Sequence, residues 1–304
     1  METDQQGIEL ARDGRITRHN YVPSGYVRLT RGVYGPAPAG DGVVEEHAAR
    51  RARFEAFVRG VVAAYAGRPV SLYGPTALQM LGVALPRSLE DWDHCHVLVP
   101  RDAYAPLRER VVAHRTVREP VTPRLFRGLP LLHPVDHWLQ LRGATDDDLI
   151  EVGDGLLRRR APLLTLDRLT SRLGRLAHAP RVCQVRRCVP YLRAGTDSPY
   201  ETRTRLLLVR AGLPCPAVNL PVPCRSGWTY HVDLGYEAER VAVEYDGVVH
   251  VGNAAQMELD AKRRRDLQDE GWLLITVTAG QLQEPASLVA SVAHALVLRA
   301  GFRR

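Results

Sequence analysis

The order of apolar runs after residue 198 constrains this chain more than any other feature. Ser198-Pro199-Tyr200-Glu201 opens a helix, because serine caps a helix start, proline suits its first position and the acid lies at capping-box spacing. Gly212-Leu213-Pro214 stops that helix after Ala211. Three strand-like runs follow, Ala217 to Val222, Thr229 to Gly235 and Arg240 to Asp246. A basic helix is predicted from about Ala255 to Glu270, with Gly271 as its cap, then an apolar strand from Trp272 to Thr278 and a closing helix from Pro285 to Arg299. The order is α-β-β-β-α-β-α, that of an α/β unit.

The rest of the chain is too long to be an appendage. At roughly 100–200 residues per domain, 304 residues predict about two domains with cores of their own. Hydrophobic content of 45% and charged content of 25% exclude wholesale disorder, collagen-like sequence and a multispan membrane protein. Basic side chains outnumber acidic ones by 41 to 34, a net charge of +7, and Lys262 is the only lysine. Arginine excess suits either GC-rich coding or a phosphate-bearing partner, since guanidinium grips phosphate bidentately. The five cysteines are scattered without a C-x-x-C pair, which fits a reducing cytosol better than a disulfide framework or zinc cluster. No signal peptide is evident, and the longest apolar stretch, Ser287 to Leu298, is broken by His294 and shorter than the ~18 residues a span needs. A cytoplasmic protein with no membrane partner is expected.

Three regions are expected: 1–40, 41–195 and 196–304. In the first, Tyr26 to Tyr34 reads as strand, turn, strand, ending at the breaker-rich 35–40. The middle is mainly helical α+β, with helices over Val43 to Ala66, Thr76 to Gly82, Leu131 to Leu141, Asp146 to Leu157 and Leu166 to Leu176, and a strand over His96 to Val99. Asp146-Asp147-Asp148 sits where negative charge favours a helix start. His94 and His96 flank Cys95 at strand spacing, but without further ligands close in sequence the pair reads as structural.

Chemistry concentrates in the last region. Val232 and Leu234 are expected on one strand face and Asp233 on the other, while Glu244 and Asp246 project away from Val241, Val243 and Tyr245. Adjacent antiparallel strands would then bring Asp233 and Glu244 together. Two carboxylates at ~4 Å repel by roughly 4 kcal/mol at an effective dielectric near 20. A hard cation, Mg2+ or Mn2+, would relieve that repulsion. Acids are poor strand formers, so two in one short strand point to a site.

The segment from Ser198 to about Leu282, with SPYETRTRLLLVRAGLP, YHVDLGYEAERVAVEYDGVVH and ELDAKRRRDLQDEGWLLITVTAGQL, resembles the very-short-patch-repair-like (Vsr-like) endonuclease domains of the PD-(D/E)XK superfamily. The resemblance implies a restriction-endonuclease-like core, with Asp233 and Glu244 as metal-binding carboxylates and Glu201 as the acid of the first helix. Asp246 stands where that superfamily usually has lysine. The resemblance also implies a role for His250 as acid, base or water-mediated metal partner. Lys262, Arg263, Arg264 and Arg265 would hold phosphates, although a contiguous run cannot all face one way on a helix. Trp272 is expected in the core.

Ile8 to Pro36 resembles the small winged-helix segment of AbiEi-like type IV antitoxins, with Arg31 to Tyr34 as the matching part. Such a wing would offer Arg28 and Arg31 to DNA backbone. The middle stretches SLYGPTALQMLGVALP and HPVDHWLQLRG also resemble these proteins. The leading expectation is therefore a Mg2+- or Mn2+-dependent DNA endonuclease. The alternative is a non-catalytic DNA-binding regulator with a degenerate nuclease fold. A second copy of the chain and a toxin or defence complex are the further partners considered.

Overall fold

The computed structural model describes residues 2–3, 9–10, 26–30, 33–36, 43–103, 108–116, 122–246 and 254–301. It is a mixed α/β structure with several small sheets, and its contacts divide the chain into one unit of 1–144 with 178–181 and another of 145–177 with 182–304.

The first unit begins with a sheet of order β1-β2-β4-β3, built from β1 (Glu2–Thr3), β2 (Glu9–Leu10), β3 (Tyr26–Thr30) and β4 (Val33–Pro36). The two strands expected over 26–34 are present as the antiparallel pair β3 and β4, and β4 pairs in turn with β2, one of two short N-terminal strands absent from the sequence expectation. Helix α1 (Val43–Ala64) buries Phe54, Phe57, Val58 and Val61, the residues spaced at three and four. A second sheet joins β5 (Ser71–Leu72), β6 (Cys95–Val99) and β7 (Val111–Arg115), antiparallel then parallel, and α2 (Gly74–Met80) follows β5. A hairpin of β8 (Arg124–Phe126) and β9 (Leu129–Leu131) turns at Arg127 and Gly128, both with positive φ, as a two-residue turn requires. Leu131 therefore belongs to a strand, and α3 (Pro134–Leu139) starts only where proline sets φ and His133 caps it.

In the second unit Thr145 and Asp148 form a reciprocal capping box at the start of α4 (Asp146–Leu156). Helices α5 (Leu166–Arg175) and α6 (Val182–Cys188) and a 3-10 turn (Val189–Tyr191) lead to α7 (Pro199–Arg210). Asp154 of α4 is wholly buried and pairs with Arg205 of α7 at 2.7 Å while accepting from the Thr202 hydroxyl, which ties these helices to one core. The sheet is β10 (Ala217–Pro223), β11 (Thr229–Tyr236), β12 (Val241–Tyr245) and β13 (Leu273–Val277) in that order. The first three strands are antiparallel, whereas β12 and β13 run parallel and are joined by the crossover helix α8 (Ala254–Asp269). A short α9 (Ala279–Gln283), absent from the sequence expectation, precedes α10 (Ala286–Gly301).

Two apolar clusters sandwich this sheet. Val241 and Val243 pack with Leu208 of α7 and Leu288 and Val292 of α10. Ala242 packs with Leu267 of α8, Trp272 and Val222 on the other side. Alternation thus holds along β12, but it fails along β11. The register pair Val218 and Leu234 joins the first cluster, while the pair Leu220 and Val232 joins the second. Val232 and Leu234 do not share a face, contrary to the period-two expectation. The intervening Asn219 has φ of 48°, a left-handed backbone that turns β10 over opposite Asp233.

Candidate functional site: a carboxylate cluster at the parting of two strands

Pairing between β11 and β12 runs from Tyr236 opposite Val241 to Leu234 opposite Val243. One step further, Asp233 would face Glu244, but the backbone ladder ends there. The Tyr245 N–H is donated instead to Asp233 Oδ2 at 3.0 Å, so a side chain replaces a ladder partner. Burial raises the Asp233 carboxyl above its ordinary range; the Tyr245 N–H pulls it down, and the negative charge of Glu244 adds to the rise. Glu244 points to the α8 side, where Arg263 grips it bidentately, Nη1 to Oε2 at 2.9 Å and Nη2 to Oε1 at 2.5 Å. Arg263 Nη2 also donates to the His231 carbonyl at 2.9 Å.

Glu201, in the first turn of α7, lies within the field of Asp233. Its N–H is capped by Ser198 Oγ, as the sequence predicts, but its side chain does not close a capping box. Oε2 accepts instead from the Asp197 N–H at 2.9 Å and from Asn219 Nδ2 at 3.0 Å. Asn219 also donates to the Gly195 carbonyl at 2.6 Å, so one amide links strand β10, the loop before α7 and the acid. With 4% of its surface exposed, Glu201 has its pKa pushed up to about 7 by burial, with a further rise from Asp233. Arg159 pairs with Asp197 and lies in the field of Glu201 and Asp233. Beside the cluster Tyr200 and Tyr245 stack at 4.2 Å with planes 3° apart, and Arg203 lies 5.3 Å over Tyr200.

The remaining predicted residues stand apart. Asp246 is exposed at the end of β12. Lys262 Nζ bonds Asp266 Oδ2 at 2.7 Å and the Tyr230 hydroxyl at 3.4 Å, and it sits 5.7 Å from the Trp228 ring. The sole lysine is thus committed to a carboxylate of its own helix. Arg264 and Arg265 are exposed on α8, and Arg28 is exposed on β3. Arg31 and His250 lie outside the described residues. Trp272 is buried, as expected.

Sequence reasoning missed Asp197, Asn219 and Arg159. Only Asn219 left a signal, as a poor strand former between Val218 and Leu220; the others act through loops whose course no periodicity encodes. Among the described residues no group of three His, Cys, Asp or Glu could hold a metal ion. A cavity of about 720 Å³ in the first unit, lined by Arg59, Arg68, Arg127, Tyr65 and Leu129 among others, shares no residue with the cluster.

A 116-residue stretch, 38% of the chain, is 28% identical to an uncharacterized protein of Mycobacterium tuberculosis strain ATCC 25618 / H37Rv, and its counterpart in strain CDC 1551 / Oshkosh matches equally. The aligned stretch spans 43% of those relatives' length. No family model matches the chain. No solved structure matches it.

Proposed function

We propose that the chain is a cation-dependent DNA endonuclease whose second unit hydrolyses phosphodiester bonds. The observation that carries this reading is Asp233, freed from the ladder where β11 and β12 part, with the charge of Glu244 on β12 acting on it and its own charge acting on Glu201 of α7. Desolvated like charges oppose folding, and carboxyls perturbed in this way concentrate at sites that use them. The mixed sheet with α8 on one side and α7 and α10 on the other supports a restriction-endonuclease-like core, as does the resemblance of 198–282.

The donors suit a hard cation in kind, since all are carboxylate oxygens. Asp233 and Glu244 would hold Mg2+ or Mn2+. Only Oδ2 of Asp233 is engaged among the described residues, whereas both Glu244 oxygens are engaged by Arg263, which must release them on loading. A bound cation would act as a Lewis acid on a phosphoryl oxygen and offset charge in the transition state. The chain's own residues do the rest. Arg263, once released, pairs with the scissile phosphate and supplies the positive charge that Asp246 cannot. Glu201, with its pKa pushed up to about 7, takes a proton from the water whose oxygen bonds to phosphorus and returns it to the oxygen whose bond to phosphorus breaks. Arg264 and Arg265 bind neighbouring phosphates of the DNA.

A second reading, a non-catalytic DNA-binding regulator, is favoured by one observation: Arg263 already neutralises Glu244, and Lys262 is held by Asp266. Incubation with supercoiled, linear and single-stranded DNA in Mg2+ or Mn2+ separates the two. The endonuclease cleaves, and Asp233→Ala and Glu244→Ala abolish cleavage while retaining DNA binding. Cleavage that survives both substitutions removes the assigned site. Absence of cleavage with salt-sensitive binding to one duplex sequence establishes the regulator.

A further inference from the structure

Away from the carboxylate cluster, the cavity of about 720 Å³ in the first unit is bounded by the end of α1, the loop 65–70 and the β8–β9 hairpin. Ligand clefts typically enclose roughly 300–1,000 Å³, with apolar walls and a few polar groups that fix orientation. Here Val62, Leu129 and Pro130 belong to the wall, and Leu125 stands at the edge with 78% of its surface in solvent. The polar lining is Tyr65 with Arg59, Arg68 and Arg127, and among the described residues no acid joins it. The walls are held before any ligand arrives. Arg59 Nη1 donates to the Arg127 carbonyl at 3.0 Å, which ties the turn of the hairpin to α1, while Nε and Nη2 bond Glu55 Oε1 at 3.2 and 2.9 Å. Tyr65 is buried, with the Arg68 guanidinium 5.8 Å from its ring centre. The last carbonyls of α1 are occupied, since the Tyr65 N–H donates to Val61 and Val62 and the Ala66 N–H to Ala63. The helix end therefore turns few bare acceptors towards the cavity.

We propose that this cavity binds a phosphate monoester carried on an apolar body. The charge count selects the anion. Glu55 balances Arg59, whereas Arg68 and Arg127 are exposed, rest against the Tyr65 and Phe126 rings, and have no carboxylate partner among the described residues. Two unbalanced guanidiniums match a dianion, and each presents the planar fork that grips phosphate oxygens. A cation would be repelled, and a neutral ligand would leave both charges unused. The walls select the rest of the molecule. Apart from the Tyr65 hydroxyl and the arginines they offer no side-chain partner to the edges of a sugar or nucleobase, so a polar body would lose water without replacement hydrogen bonds. An aromatic ring or alkyl chain instead covers Val62, Leu125 and Leu129, and takes the exposed Leu125 side chain out of water.

The test titrates the full chain by isothermal calorimetry with 1-naphthyl phosphate and decyl phosphate, beside 1-naphthol, inorganic phosphate and AMP. One equivalent of monoester per chain is expected, and the tighter of the two tells a ring-bearing source from a lipid one. Naphthol, inorganic phosphate and AMP should each bind at least about tenfold more weakly than that monoester. Arg68→Ala and Arg127→Ala should each weaken the monoester by about tenfold, and Leu125→Ala should weaken it without changing inorganic phosphate. All three side chains are exposed, so their removal leaves the fold intact, which far-ultraviolet circular dichroism verifies. Binding is read without DNA or a divalent cation, so the outcome is independent of the nuclease reading. The proposal is overturned if neither monoester binds, if naphthol or AMP binds as tightly as the better monoester, or if the double variant Arg68→Ala with Arg127→Ala binds it as tightly as the native chain.

Discussion

Glu201 sits between the Asp197 N–H and the Asn219 amide with its charged form disfavoured by burial. A carboxyl whose folded pKa is raised, here from 4.5 to about 7, contributes stability fully present below its unfolded value. That contribution is lost as pH rises through 7, on the order of 3 kcal/mol in all. The expected outcome for Glu201→Gln is equal stability to the native chain near pH 4.5 and a growing advantage up to pH 8, read as the difference between two urea-denaturation series. Parallel curves would mean that Glu201 is not the buried acid described. The same residue shows how one side chain serves both fold and chemistry: its N–H takes the serine cap while its carboxylate is turned into the cluster. Arg263 has an equally double position, holding Glu244 and the His231 carbonyl at once.

At the level of elements, the decisive feature is the reversal of faces at Asn219 and Asp233, which parts the strands and frees an acid from the ladder. Gly235 is the tightest point near it. A Cβ there would lie 2.5 Å from Leu220 Cδ2 and 3.1 Å from Val232 Cγ2, atoms of the cluster beneath α8. Gly235→Ala is expected to destabilise by about 1–3 kcal/mol, with Leu220→Ala in the same chain recovering part of the loss. A pair of additive losses, measured by thermal melting, would contradict the contact. The order of these elements was legible in the sequence because each carries strong punctuation. Ser198 and Pro199 open α7, and Gly212 and Gly271, both with positive φ, close α7 and α8. The face reversal was not legible, since a single left-handed asparagine leaves the period-two pattern of Val232 and Leu234 unchanged in the text. Likewise β7 and β8 are too short and mixed in composition for periodicity to mark them. Asp233 and Glu244 were legible as acids in apolar strands; the Arg263 clamp on Glu244 was not, because it spans 19 residues and depends on how α8 lies on the sheet.

For the whole molecule, two chemistries separate by unit. The second unit sets Asp233 between Glu244, held by Arg263, and Glu201, near Arg159, while the first sets His94 and His96 on the Asp91 carboxylate. The net charge of +7 does not localise to α8, where Lys262 and Arg263 to Arg265 are balanced by Glu258, Asp260, Asp266 and Asp269 of the same helix. No helix among the described residues is long and apolar enough to cross a membrane. The account rests on the carboxylate cluster being a hard-cation site that Arg263 guards. The most direct test counts Mn2+ bound to the DNA-free chain by electron paramagnetic resonance, in the native protein, in Asp233→Ala and in Arg263→Ala. One Mn2+ per chain, lost in Asp233→Ala and bound more tightly in Arg263→Ala, is the predicted result. No bound Mn2+ in either the native chain or Arg263→Ala, or Mn2+ retained in Asp233→Ala, would contradict it.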